Sequence, residues 1–192
     1  MDQIIEWDWQ ATLLLNDWGG YYLDQFFLFI TEKYNSLPFY LLLLFVLWKF
    51  QGSRNTVIAC IFVVILIACS DQLASLFKYG FERWRPYHEL GMKDQISAIG
   101  KQKGLYGFYS AHASTSMGVA TFIYWILRYQ SRWMVTATIL WAFIVTYSRI
   151  YLGLHYLGDV LMGTSMGIIL GSLFAWIYSL IKARYGTSTT IN

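Results

Sequence analysis

Five apolar stretches divide the chain, at roughly 37–50, 55–77, 112–128, 133–148 and 156–181. A helix needs about 20 residues to cross the hydrocarbon of a bilayer, so the shorter stretches borrow their flanks or lie within protein. No water reaches backbone N–H and C=O groups in lipid, which restricts such spanning segments to helices. The pattern predicts an all-α, polytopic membrane bundle of five to six transmembrane helices. Residues 1–35 depart from it, with Glu6, Asp8, Asp17, Asp24 and Glu32 scattered among Ile4, Ile5, Trp7, Trp9 and Leu13. That mixture predicts one or two short helices at the interface or tucked against the bundle. A single domain is expected, with interfacial helices over 1–35 and the transmembrane bundle over 36–182. Only residues 78–110 form a long polar stretch, and a loop of that length in a compact bundle is usually functional.

Composition supports the membrane reading. Only 13% of the 192 residues are charged and 57% are hydrophobic, whereas a soluble domain is about 25% charged. Trp48, Trp125, Tyr129, Trp133, Trp176 and Tyr178 sit near the ends of apolar runs, and rings with an apolar body and a polar edge favour the headgroup level. The net charge of +3 comes from a few basic clusters and gives no sign of nucleic acid. With five spans, Lys49, Arg54, Arg128, Arg132, Lys182 and Arg184 fall on one side with no acidic residue among them. Basic connections mark the cytoplasmic side, so the acidic N-terminal region and the 78–110 loop belong on the opposite face. Cys60 and Cys69 lie half a helical turn out of phase in one run and do not pair. Gly163, Gly167 and Gly171 are spaced for close helix packing and carry no chemistry.

Three segments place polar groups where lipid-facing sequence does not. The first is Lys78-Tyr79-Gly80-Phe81-Glu82-Arg83-Trp84-Arg85-Pro86. Lys78, Glu82 and Arg85 share a helical stripe, and Pro86 ends the helix before it. Two cations on one face form a cradle for an anion, although an ordinary basic flank meeting headgroups reads the same. In Tyr109-Ser110-Ala111-His112, Ser110 is a good N-cap. The amides of Ala111 and His112 then face out of a helix N-terminus, a place that binds phosphate oxygens. In the third segment, from Ser148 and Arg149 to His155 and Asp159, the last two residues share a helix face. A carboxylate accepting one ring N–H fixes the tautomer and aims the other nitrogen. An ionised carboxylate inside a span needs a partner, and His155 is the nearest in sequence.

Taken together, these segments read Lys-x6-Arg-Pro, Ser-x-His and Ser-Arg-x5-His-x3-Asp. The chain here resembles the type 2 phosphatidic acid phosphatase (PAP2) family of lipid phosphatases, which share a site with vanadium haloperoxidases. The resemblance runs from about Asp71 to Gly171. Tyr109 and Ala111 stand where the family usually has proline and glycine. Alanine keeps a small residue but resists positive φ, so substrate preference is affected while every catalytic group is kept.

The resemblance implies an integral membrane phosphatase acting on a lipid phosphomonoester or diphosphate without metal or other cofactor. It assigns His155 as nucleophile forming a phosphohistidine, with Asp159 orienting it. His112 serves as general acid and base. Lys78, Arg85, Arg149, Ser110 and the amide of Ala111 hold the phosphate. His88 reads as a rim residue and Asp71 as a partner for a buried cation or an inter-helix hydrogen bond. Undecaprenyl diphosphate and lipid A phosphates lead the expected substrates, with phosphatidylglycerol phosphate and phosphatidate behind them. The expected setting is the bacterial inner membrane, multi-pass, with the site facing the periplasm. The rival reading is a lipid or anion transporter reusing the basic pocket, and the His155–Asp159 pair separates the two because transport needs no nucleophile.

Overall fold

The computed structural model describes residues 2–32, 34–100, 102 and 104–185. Among them are six helices and no strand: α1 (Asp2–Asn16), α2 (Tyr21–Thr31), α3 (Leu37–Phe81), α4 (Ala111–Leu127), α5 (Arg132–Tyr151) and α6 (Leu157–Tyr185). Three of these, α3, α5 and α6, are long and apolar enough to cross a membrane. The 45 residues of α3 are interrupted at Gly52, whose φ of 75° and ψ of 165° leave helical space. Positive φ is a glycine conformation, and here it reverses the chain. Tyr40 before the break and Asp71 after it line the same cavity, whereas Gln51 bonds the carbonyl of Ile126 at the other end of the bundle. The two apolar stretches 37–50 and 55–77 are thus two arms joined at Gly52.

At the centre lies α4, walled in by α3, α5 and α6. Phe122, Ile123 and Leu127 are fully buried with Leu66 and Met134 in the main core, where Phe62 stacks on Phe122 with ring centroids 6.3 Å apart. Without water between helices in a membrane, association relies on close van der Waals packing and small residues. The glycines of α6 supply it. A Cβ on Gly163 would lie 2.5 Å from the carbonyl oxygen of Ser110, and Cβ atoms on Gly167 and Gly171 would overlap the carbonyls of Ser114 and Gly118. The backbones of α4 and α6 therefore touch along three turns.

The two N-terminal helices lie against the bundle at its polar end. Phe27 of α2 packs on Tyr151 with centroids 4.3 Å apart. Asp24 accepts a 2.6 Å hydrogen bond from the Tyr151 hydroxyl, which accounts for an acid in an otherwise apolar helix. The opposite end collects basic groups: Lys182 donates to Gln51 at 2.6 Å, and Arg128 sits 4.3 Å over Trp125.

Candidate active site

The first arm of the site departs from the sequence reading. Lys78 is in the last turn of α3, but that helix ends at Phe81, and Glu82 adopts a left-handed φ of 49°. Lys78, Glu82 and Arg85 do not share a helical stripe. Arg85 instead stands on an extended segment that pairs with the far end of the loop. The Arg85 amide donates to the Leu105 carbonyl at 3.0 Å, and the Gly107 amide to the Arg83 carbonyl at 2.8 Å. Pairing across the loop satisfies backbone groups that a continued helix would have bonded locally. The Arg85 guanidinium donates to the carbonyls of Tyr106 (Nε, 3.1 Å) and Leu154 (Nη1, 3.4 Å), and so ties the first arm to the third.

The second arm behaves as its capping sequence predicts. Ser110 is the N-cap of α4, and its hydroxyl oxygen accepts from the Ala113 amide at 3.4 Å. The hydroxyl proton stays available to a ligand, as do the amides of Ala111 and His112, which have no intrahelical acceptor. Ala111 has ordinary negative φ; Glu82 is the one non-glycine residue with positive φ among the described residues. Tyr109 is fully buried, with its ring 5.2 Å from that of Phe77. It packs the second arm on the end of α3. The Ser110 amide donates to the Asp159 carbonyl at 3.0 Å, joining the second arm to the third.

The third arm is a tight turn between α5 and α6. Both the Leu154 and His155 amides donate to the Arg149 carbonyl, at 3.0 and 3.2 Å, and Gly153 has a φ of 67°. A side chain there would collide with the Ser97 carbonyl, 2.8 Å from its Cβ. Arg149, His155 and Asp159 are all buried. His155 Nδ1 faces Asp159 Oδ2 at 3.5 Å, which is long for a hydrogen bond. The carboxylate has closer partners: Arg83 Nη1 at 2.8 Å on Oδ1 and the Tyr156 amide at 3.1 Å on Oδ2. The partner nearest in sequence, His155, is therefore not the one that neutralises Asp159; Arg83 is. Arg83 lies two residues before Arg85, and nothing in its local sequence separates it from an ordinary basic flank.

Gly107, three residues before the N-cap of α4, borders every arm. A Cβ there would lie 3.1 Å from Asp159 Oδ2, 3.2 Å from Arg85 Cγ and 3.6 Å from His155 Nδ1. The three arms therefore converge on one small volume. Lys78, Arg85, Arg149 and His155 all lie close enough to His112 to interact with it electrostatically. His155, in the turn outside the spanning helices, is held well below the usual histidine range. Burial is the largest cause, followed by Arg85, Arg149 and Lys78. A neutral imidazole among cations is set up as a nucleophile towards an anionic centre.

Two cavities meet at His112, which is exposed into them. One of about 680 Å³ includes Arg149, Leu154, Gln25, Thr31 and Glu32, and lies beside α2. The other, of about 370 Å³, runs between helices and is lined by Tyr40, Ile67, Trp141 and Val145. Asp71 lines it too, on the side of α3 that faces His112. His88 is exposed, with its ring 4.5 Å from that of Tyr87.

Comparison with known proteins gives a consistent picture. The sequence model of the PAP2 superfamily matches residues 56–183. A lipid A 4'-phosphatase of Bacteroides thetaiotaomicron is 32% identical over 187 residues, covering 96% of this chain and 82% of the relative. One from Porphyromonas gingivalis is 30% identical over 191 residues, covering 96% and 78%. Among solved structures, a PAP2-type phosphatidylglycerolphosphate phosphatase from Bacillus subtilis superposes with a TM-score of 0.72 at 19% identity, over 95% of this chain and 89% of that one. Aquifex aeolicus LpxE does so with a TM-score of 0.65 at 24% identity, over 86% and 92%. At those identities the two structures speak for the fold.

Proposed function

The chain belongs to the PAP2 superfamily and is a multi-pass membrane lipid phosphatase, and we propose that it removes the 4'-phosphate of lipid A through a phosphohistidine on His155. The observation that carries the mechanism is a buried, neutral His155 beside an anchored carboxylate and three cations. The substrate rests on the two lipid A 4'-phosphatases that align over nearly the whole chain. The cavities suit such a lipid. The wider one, with Gln25, Thr31 and Glu32 on its wall, has hydrogen-bonding groups for a sugar headgroup. The inter-helix cleft lined by Ile67 and Val145 has apolar surface for acyl chains.

In the first step His155 Nε2 attacks phosphorus and the phosphorus–oxygen bond to the lipid breaks. His112 delivers its proton to the leaving alkoxide. Nδ1 keeps its proton and turns it towards Asp159, so the positive charge that builds on the ring is balanced. Lys78, Arg85, Arg149, the Ser110 hydroxyl and the amides of Ala111 and His112 stabilise the equatorial oxygens. In the second step His112 takes a proton from water, which attacks phosphorus and releases His155 and inorganic phosphate. No step calls on a metal or other cofactor. The basic cluster of Lys182, Arg128 and their neighbours at the far end supports a cytoplasmic placement of that end. The site then opens to the periplasmic side of a bacterial inner membrane.

The test is phosphate release by purified protein from lipid A, undecaprenyl diphosphate, phosphatidylglycerol phosphate and phosphatidate, with product mapping on lipid A. Denaturing quench during turnover of labelled substrate should leave an acid-labile, base-stable phosphate on the protein. His155→Ala should lose both label and turnover. Wild-type turnover in that variant removes the proposed nucleophile, and preference for another lipid removes the substrate assignment.

A further inference from the structure

We infer that Asp8 of α1 is a positioning residue for the reaction, acting through Arg83 on the carboxylate that orients His155. The inference rests on the nucleophile assignment above. Asp8 lies outside the residues matched by the family model, yet it closes the chain of contacts behind the nucleophile. Its Oδ2 accepts from Arg83 Nη2 at 2.6 Å, and its Oδ1 accepts from the Gly158 amide at 2.7 Å. The other end of the same guanidinium holds Asp159 Oδ1 at 2.8 Å, while its plane lies 4.0 Å over the Tyr156 ring. Arg83 is thus split between two carboxylates.

That division is what leaves Asp159 Oδ2 facing His155. An unopposed guanidinium tends to take a carboxylate in bidentate fashion, with both Nη groups on both oxygens. Such a pairing would draw Oδ2 away from a contact that is already 3.5 Å long, and spend the negative charge that the imidazolium needs. If Arg83 swung out instead, Asp159 would be a fully buried carboxylate without its counter-ion, which favours the protonated form. In either case the histidine loses the partner that sets its tautomer. Exposed ion pairs contribute little, but this one ends on a carboxylate with 0% side-chain exposure.

The same face of α1 carries a purely structural control. Thr12, one turn on, caps α6 by accepting the Leu157 amide at 2.9 Å. Asn16 donates to the carbonyls of Ile150 and Tyr151, at 3.1 and 2.7 Å. These residues fasten α1 to the turn without touching Arg83, so they separate docking of the helix from the charge relation.

Asp8→Asn keeps the shape and an acceptor for Gly158 but removes the charge. Its kcat should fall by about 10–100-fold, the size of loss seen when the carboxylate partner of a metal-ligating histidine is removed, with KM unchanged. Arg83→Lys, which cannot span two carboxylates with a planar fork, should show the same selective loss. Adding Asp8→Asn to Arg83→Lys should cost nothing further. Thr12→Val should lower the thermal midpoint in detergent and leave kcat as it was. Wild-type kcat in Asp8→Asn, additive losses in the double variant, or an equal kcat loss in Thr12→Val would each overturn the inference. His155→Ala, assayed alongside, separates this from failure of the nucleophile assignment, since turnover there would sink the assignment itself.

Discussion

Gly163→Ala tests how tightly the active site depends on the contact between α4 and α6. The new Cβ would sit 2.5 Å from the Ser110 carbonyl oxygen and 3.1 Å from Ala113 Cβ. Ordinary contact begins at 3.4 Å, so α6 must retreat by about 0.9 Å from the start of α4. The start of α4 carries Ser110 and His112, and α6 carries Asp159, so the shift opens the site directly. It also strains the 3.0 Å bond from the Ser110 amide to the Asp159 carbonyl. A misplacement of about 1 Å can cost 10²-fold in rate, and that is the expected loss in kcat/KM. Overpacking costs roughly 1–3 kcal/mol, offset by about 1 kcal/mol from the better helix propensity of alanine, so stability alone is a poor readout. Gly171→Ala supplies the comparison. Its Cβ overlaps the Gly118 carbonyl and lies 2.8 Å from Thr121 Cβ, an equally severe clash about 12 Å further along the helix axis. Both variants should shift the thermal midpoint in detergent by similar amounts, while only Gly163→Ala loses most of its phosphate release. Equal activity in the two variants would refute the claim that this contact sets the geometry.

Arg85→Ala removes a cation that also fastens the third arm through the Leu154 carbonyl. Losing one preorganised donor costs about 10²–10³-fold, so kcat and KM should both worsen in a lipid phosphatase assay, and an unchanged kcat/KM would mean the cradle is drawn wrongly. Nitrogen NMR of labelled histidine should find His155 neutral well below the ordinary value near 6.5, because burial and then Arg85, Arg149 and Lys78 oppose its protonation. The sign for stability follows: the unfolded chain takes up a proton that the folded one refuses, so this residue contributes nothing above about pH 6.5 and costs stability as pH falls below it. A titration midpoint at or above that value contradicts the site electrostatics.

Much of the site was legible before any coordinates, because its signals are local. Apolar stretches mark helices and Ser110 announces the start of α4. The helix face read for His155 and Asp159 does not form, because His155 precedes α6 in a turn that brings its ring towards the carboxylate instead. Small residues repeating every four positions in α6 marked the face that now meets the α4 backbone. Each of these depends on residues within a turn or two of one another, where the geometry of a helix is known in advance.

What the sequence by itself determined was the helices, their apolar lengths and the residues that carry the chemistry; the tertiary structure decided which groups hold them. Ending α3 at Phe81 follows from pairing between residues 83–85 and 105–107, and no feature near Lys78 encodes that pairing. Asp8 was visible only as one of several scattered acids, and the partners of the face it shares with Thr12 and Asn16 are mostly backbone groups. Backbone N–H and C=O groups are the same at every residue, so a chain contains no mark of which one a distant side chain will reach. Arg83 and Asp159 were both in view, and only folding brought a third residue from the N-terminal helix to share the charge between them.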